Sequence, residues 1–160
     1  INEMLVHMID LANWYFGPIS KAEVISCDLL YQNRVIQNRV ITADAEDYIL
    51  VKCTGNNGME ILCQADLITP AFSQYVEIQG KNGSFMGSIQ PDMPSYIFLK
   101  ESRGGFAPGK TNLNYGDRNV LDRQMMYFIH HLLNEELPDR NTIEDSLDLI
   151  KIMDNIRQQA

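Results

Sequence analysis

Glu3, His7 and Asp10 stand four and three residues apart in the first stretch of the chain. At about 100° of rotation per helical residue, they fall within roughly 60° of one another, and Trp14 continues the stripe. A histidine changes charge near neutral pH. With carboxylates one turn to either side, it can pass a proton to or from a substrate hydroxyl. The same three groups could instead ligate a divalent ion, or form only a buried polar network or a solvated face. Spacing leaves these three readings open. The element that must position them is Asn2 to Phe16, where Met4, Leu5, Met8, Ile9, Leu11, Ala12, Tyr15 and Phe16 fill most of the remaining circumference. A helix apolar nearly all round is expected to be buried. Its ionisable groups must then face each other, a partner or a cleft. Gly17-Pro18 is the expected stop.

A second pattern, Gly104-Gly105-Phe106-Ala107-Pro108-Gly109-Lys110-Thr111, matches the phosphate-binding loop G-x-x-x-x-G-K-[ST]. Its upstream strand is present in Ser95 to Lys100. Downstream, Thr111 to Asp117 carries turn formers where a phosphate-binding helix must begin. A flexible loop with a chance match is therefore the expectation, not nucleotide hydrolysis. His130-His131 lies in a helical stretch, which points the two rings about 100° apart. One exposed and one packed ring are expected there, not a shared metal.

The remaining elements follow from alternation and turn signals. Ala22–Tyr31 reads as a strand, and the polar Gln32–Asp44, with Val35-Ile36 and Val40-Ile41, as strand plus loop. Tyr48–Thr54 and Met59–Leu67 flank Gly-Asn-Asn-Gly, a hairpin. Gln74–Gln79 and Ser84–Gln90 flank Gly-Lys-Asn-Gly, a second one. Ser95–Lys100 is a further strand, and Arg103–Arg118 a long loop of the kind that binds or moves. Two helices close the chain. One spans Val120–Leu133, with Leu121, Met125, Phe128, Ile129 and Leu132 on one face. The other opens at Asn141-x-x-Glu144, a capping-box-like start. Short connections between strands imply antiparallel pairing. The class is α+β: a large, mostly antiparallel sheet with helices packed on one face.

At 160 residues, 45% hydrophobic and 21% charged, the chain suits one globular domain. A net charge of −8 without a basic run argues against a nucleic-acid or anionic-membrane surface. No apolar run approaches the roughly 20 residues of a membrane span. Cys27, Cys53 and Cys63 lie in separate strand-like segments without metal spacing, which suits reduced thiols in the cytoplasm. A motif-bearing helix at Ile1, with no lead-in, raises the expectation that an upstream part is missing.

In order along the chain, Asn2-Glu3-x-x-x-His7-x-x-Asp10-Leu11 with Trp14 and Gly17-Pro18 resembles the opening of the C-terminal domain of the Gfo/Idh/MocA oxidoreductases. That family includes glucose-fructose oxidoreductase and inositol dehydrogenase. Val76-Glu77-Ile78-Gln79-Gly80-x-x-Gly83-Ser84 is similar to its hairpin motif. Pro138, Thr142 and Glu144-Asp145 are similar to its close. The resemblance implies that residues 1–160 are a substrate-binding and oligomerisation domain, with the N-terminal Rossmann domain that binds NAD or NADP absent. It implies hydride transfer between the nicotinamide and a sugar, polyol or derivative bound between the domains. Homo-oligomers would form through the sheet face. His7 matches the catalytic histidine. Glu3 stands where many members carry Asp, orienting the histidine or touching substrate. Asp10 falls where a residue binds substrate hydroxyls or orients the histidine. Tyr115, with Phe106 in the same loop, is a further candidate for the substrate cleft. A non-catalytic member used for assembly or ligand sensing, and a member using NAD transiently for glycoside cleavage, remain alternatives. The chain alone is expected to be inactive.

Overall fold

Strict alternation in Tyr48–Gly55 turns Ile49, Val51 and Cys53 to one side, and these three are fully buried. That strand is the centre of the fold. The computed structural model describes residues 2–70, 73–88, 90, 92–114, 119–138 and 142–160, with Asn2 and Glu3 in their backbone only. In chain order the elements are α1 (Asn2–Phe16), β1 (Ile19–Asp28), β2 (Asn33–Ile36), β3 (Arg39–Thr42), β4 (Tyr48–Gly55), β5 (Glu60–Asp66), β6 (Val76–Gly80), β7 (Gly83–Gly87), β8 (Tyr96–Leu99), β9 (Gly109–Asn112), α2 (Val120–Leu133) and α3 (Ile143–Arg157). The class is α+β, and every strand pairing is antiparallel. Hydrogen bonding distributes the strands over sheets ordered β1-β4-β5, β2-β3 and β6-β7-β8-β9. The chain divides into two compact units, Ile1–Pro70 with Pro138–Ala160, and Ala71–Leu137.

In the first unit, α1 lies on β5 and α3 on β1, and the helices touch each other, so both cover the same sheet face. Leu5, Ile9 and Ala12 of α1 meet Ala22, Ile49, Val51, Cys53, Cys63 and Ala65 of the sheet, with Met153 and Ile156 of α3. Each fully buried aliphatic side chain contributes about 1.5–3 kcal/mol. α1 ends where expected: Gly17 takes φ 83°, open to glycine at little cost, and its N–H donates to the Asn13 carbonyl at 2.9 Å. The start of α3 differs by one residue from the Asn141 expectation. Thr142 is the cap, its hydroxyl accepting from Asp145 N–H while the Asp145 carboxylate accepts from Thr142 N–H. Asn141 itself lies outside the described residues. The outer edge of β1 is partly closed by Gln159, whose Oε1 accepts from Val24 N–H and whose Nε2 donates to the Ala22 carbonyl. A paired edge is a poorer template for stray strands.

Between β1 and β4 the expected strand plus loop is a hairpin of two strands. Its turn residues, Gln37 and Asn38, both sit at positive φ, 50° and 61°. That geometry fits the right-handed twist of flanking strands, but Gln-Asn signals it weakly because neither residue is glycine. Beneath the hairpin, Asp47 is buried. Its carboxylate pairs with the Arg34 guanidinium and accepts from Tyr31 N–H at 2.7 Å.

In the second unit, β6 and β7 join through Lys81-Asn82, and β7 pairs with β8. Gly83 sits opposite Leu99, where an added Cβ would collide with the Phe98 carbonyl oxygen and come within 2.9 Å of Leu99 Cδ2. Replacing Gly83 by Ala is therefore expected to destabilise the protein by about 1–3 kcal/mol. Chemical denaturation measures this, and an unchanged midpoint would contradict the close approach. The phosphate-loop pattern is no open loop. Gly104 and Gly105, at φ 58° and 84°, make a tight turn closed by Arg103 and Phe106, and Gly109–Asn112 continues as β9 against β8. The Lys110 ammonium lies 4.0 Å from the centre of the Tyr96 ring. The sequence pattern could not reveal this strand because glycine and proline dominate its approach. α2 occupies the expected range with no buried residue. His130 is exposed, whereas His131 is half-buried, its Nδ1 at 3.0 Å from the Tyr127 carbonyl.

Candidate functional site

On a helix that turns Leu5, Ile9 and Ala12 inward, positions 3, 7, 10 and 14 fall on the far side. His7 and Trp14 are exposed and Asp10 is half-buried. The Glu3 side chain and all of Tyr115 lie outside the described residues. The structure thus brings His7, Asp10 and Trp14 to one open face and places neither Glu3's carboxylate nor Tyr115 beside them. The expectation that α1 is buried all round is corrected: among its described side chains only Leu5, Ile9 and Ala12 are buried, and His7, Trp14 and Tyr15 are exposed. One sheet and one helix can cover only part of a cylinder's circumference. Neither the His7 nor the Asp10 side chain makes a hydrogen bond to a described residue, so both can accept an incoming group.

Sequence reasoning put Tyr15 among the core fillers, yet it is exposed and stacks on Trp14 with ring centres 5.0 Å apart. Adjacent aromatics at the last turn of a helix were the available signal. Two shallow concavities occur in the second unit, one bordered by Glu77, Lys81, Phe98 and Lys100, the other by Ser102 to Ala107, and neither includes a residue of α1. His7 itself is exposed, and neither of these two concavities includes it.

Beneath that face lie two thiols. Cys53 and Cys63 are buried, and Cys63 Sγ lies 3.9 Å from the Met8 carbonyl oxygen. The Cys63 thiol is pushed up, first by its hydrogen bond with Cys53 and then by burial. Burial likewise raises the Cys27 thiol. Thiols held protonated are poor nucleophiles and poor ligands. Among the described residues no group of three or more His, Cys, Asp or Glu side chains could hold a metal ion.

Residues 2–160 match the model of the Gfo/Idh/MocA oxidoreductase family, C-terminal alpha/beta domain. The chain belongs to this family. No curated protein matches its sequence significantly. Among solved structures, levoglucosan dehydrogenase in complex with NADH is similar at 16% identity and a TM-score of 0.78, over 99% of this chain and 47% of that one. The same enzyme with NADH and L-sorbose gives 12% identity, a TM-score of 0.75, and coverage of 98% and 47%. A biliverdin reductase from Synechocystis sp. PCC 6803, in complex with biliverdin and NADP+, gives 15%, 0.65, and coverage of 97% and 44%. At such identities the likeness speaks for the fold. This family domain spans about half the length of those solved structures.

Nicotinamide dinucleotides need a cradle of backbone N–H groups for their phosphates, commonly a glycine-rich turn opening a helix. Among the described residues, this domain's candidate stretch is a two-glycine turn followed by β9. Its residues do not fit the cofactor's pyrophosphate. No described helix is long and apolar enough to cross a membrane.

Proposed function

We propose that this domain is the substrate-side half of an NAD- or NADP-dependent dehydrogenase acting on a sugar, polyol or related carbinol. One observation carries the reading: in a domain of the oxidoreductase family, His7 stands exposed on the α1 face opposite the core. A carbinol becomes a carbonyl when its carbon loses a hydride and its oxygen loses a proton. The nicotinamide, held by another part of the protein, supplies the hydride chemistry. His7 takes the hydroxyl proton, and returns it in the reverse direction. A rigid helix holds the imidazole in place for this. Glu3, one turn earlier, orients the ring or holds a second hydroxyl. Asp10 accepts hydrogen bonds from the substrate's hydroxyl groups, and Tyr115, outside the described residues, is the further substrate-binding candidate.

The sugar-like class draws support from the levoglucosan dehydrogenase structures, solved with NADH and L-sorbose or levoglucosan. Three free cysteines, two of them buried, suit the reducing cytoplasm. The outer face of the β1-β4-β5 sheet, which exposes Leu62, is the surface through which copies of the protein associate.

The test is cofactor reduction by the full-length protein against a panel of sugars and polyols, followed by ultraviolet absorbance. At least one cyclic polyol or sugar is expected to give turnover. The isolated 160 residues are expected to give none, because the described residues hold no phosphate cradle. NAD(P)-dependent turnover by that isolated stretch would overturn the division of labour.

A further inference from the structure

The last turn of α1 carries an aromatic surface that the core does not use. Trp14 and Tyr15 are 57% and 48% exposed, and neither belongs to the packed cluster under the helix. Their rings stack with centres 5.0 Å apart and planes 21° from parallel. Tyr15 thus braces one side of the indole, while much of Trp14 still meets solvent. Aromatic side chains of this kind remove a large apolar area from water when another ring lies on them, and their polar edges tolerate a wet surrounding. Packing within the unit does not account for two such rings held outward.

Their position selects the occupant. Trp14 follows His7 by two helical turns less about 20° of rotation, so the two share one line along α1. Half-buried Leu11 lies between them, and Asp10 flanks that line about 60° to one side. Over these residues the helix rises about 10 Å. Both side chains lean toward the helix N-terminus, so imidazole and indole keep that separation. One pyranose ring does not span it, and two linked rings do. A reacting hydroxyl at His7 with its neighbour on Asp10 aims the substrate along the stripe, over Leu11 and toward Trp14. A second ring attached there meets the indole with its C–H face, the apolar side of a sugar whose hydroxyls project round the edge. A few polar groups that orient and an apolar wall that holds are the usual make-up of a small-molecule site.

We propose that Trp14, braced by Tyr15, is the stacking platform for the second ring of a disaccharide whose first ring reacts at His7. This rests on the dehydrogenase reading above, and narrows its sugar-like substrate to molecules of two linked rings.

The experiment uses the full-length protein and pairs each of a panel of disaccharides with the methyl glycoside of its reacting ring, following NAD(P) reduction by absorbance. At least one disaccharide is expected to exceed its methyl glycoside about tenfold in kcat/KM, the scale of one stacked ring with the area it buries. Trp14→Ala is expected to lower kcat/KM for that disaccharide about tenfold, mainly through KM, and to change the methyl glycoside less than about twofold. Trp14→Phe keeps an aromatic face and should retain part of the selectivity. Trp14 is the one tryptophan of these 160 residues. The disaccharide should therefore shift an emission component that Trp14→Phe lacks, and the methyl glycoside should leave it unchanged. If no disaccharide surpasses its methyl glycoside, or Trp14→Ala lowers both alike, the platform is refuted while the dehydrogenase reading stands. A lower melting temperature for Trp14→Ala with unchanged selectivity also refutes it, and assigns the indole to packing against another part of the protein. No turnover with any sugar or polyol removes both proposals.

Discussion

Replacing His7 by Ala in the full-length protein is expected to lower kcat by about 10²–10⁴-fold, the usual contribution of a positioned acid–base group. The magnitude is readable as chemistry because the substitution costs the fold little. His7 projects from α1 on the side away from Leu5, Ile9 and Ala12, so truncation opens no cavity in the core. Alanine also has the higher helix propensity. The melting temperature should stay close to that of the parent protein, and KM should change far less than kcat. Steady-state kinetics with the best substrate from the panel provide the check. An unchanged rate of hydride transfer would remove His7 from the chemistry and favour a domain used for assembly or ligand sensing. Asp10→Asn is the useful companion: a hydroxyl-binding role should raise KM, whereas a role in orienting the imidazole should lower kcat.

Asp47→Ala is expected to destabilise the protein by about 1–3 kcal/mol, the scale for losing hydrogen bonds to a buried charged group, because Arg34, 34% exposed, can turn to water. Asp47 is 1% exposed, so its carboxylate has no water to fall back on. It is held by the Arg34 guanidinium and by Tyr31 N–H, and its own backbone N–H donates to the Asp28 carbonyl at 2.8 Å. Removing the side chain leaves Arg34 without its partner and frees the base of the β2–β3 hairpin. Urea denaturation gives the magnitude, and hydrogen exchange at the Tyr31 amide should accelerate. Asp47→Asn retains an acceptor for Tyr31 N–H while losing the charge, so a smaller loss is expected. A loss below about 1 kcal/mol for Asp47→Ala would place the pair among surface salt bridges.

α1 was readable to its final residue, because its stop is local chemistry: glycine at positive φ followed by proline. The Gly55–Gly58 and Gly80–Gly83 turns were equally readable, since glycine at these positions signals a tight reversal. The Gln37-Asn38 turn was not, because the strands it joins impose the positive φ values and the residues do not demand them. β9 was hidden for a related reason. Gly109-Lys110-Thr111-Asn112 has weak strand propensity and is extended by pairing with Tyr96–Leu99.

The order of motifs along the chain was enough to place it in an oxidoreductase family, and helical spacing was enough to align His7, Asp10 and Trp14, since both depend on relations between residues near in sequence. Which side of α1 is covered depends on segments remote in the chain. Ile49, Val51 and Met153 meet Leu5 and Ile9 across separations that local periodicity does not encode, and this packing leaves the imidazole facing outward. The Arg34–Asp47 pair, thirteen residues apart in an unremarkable stretch, likewise exists only because the fold buries one partner beneath the other.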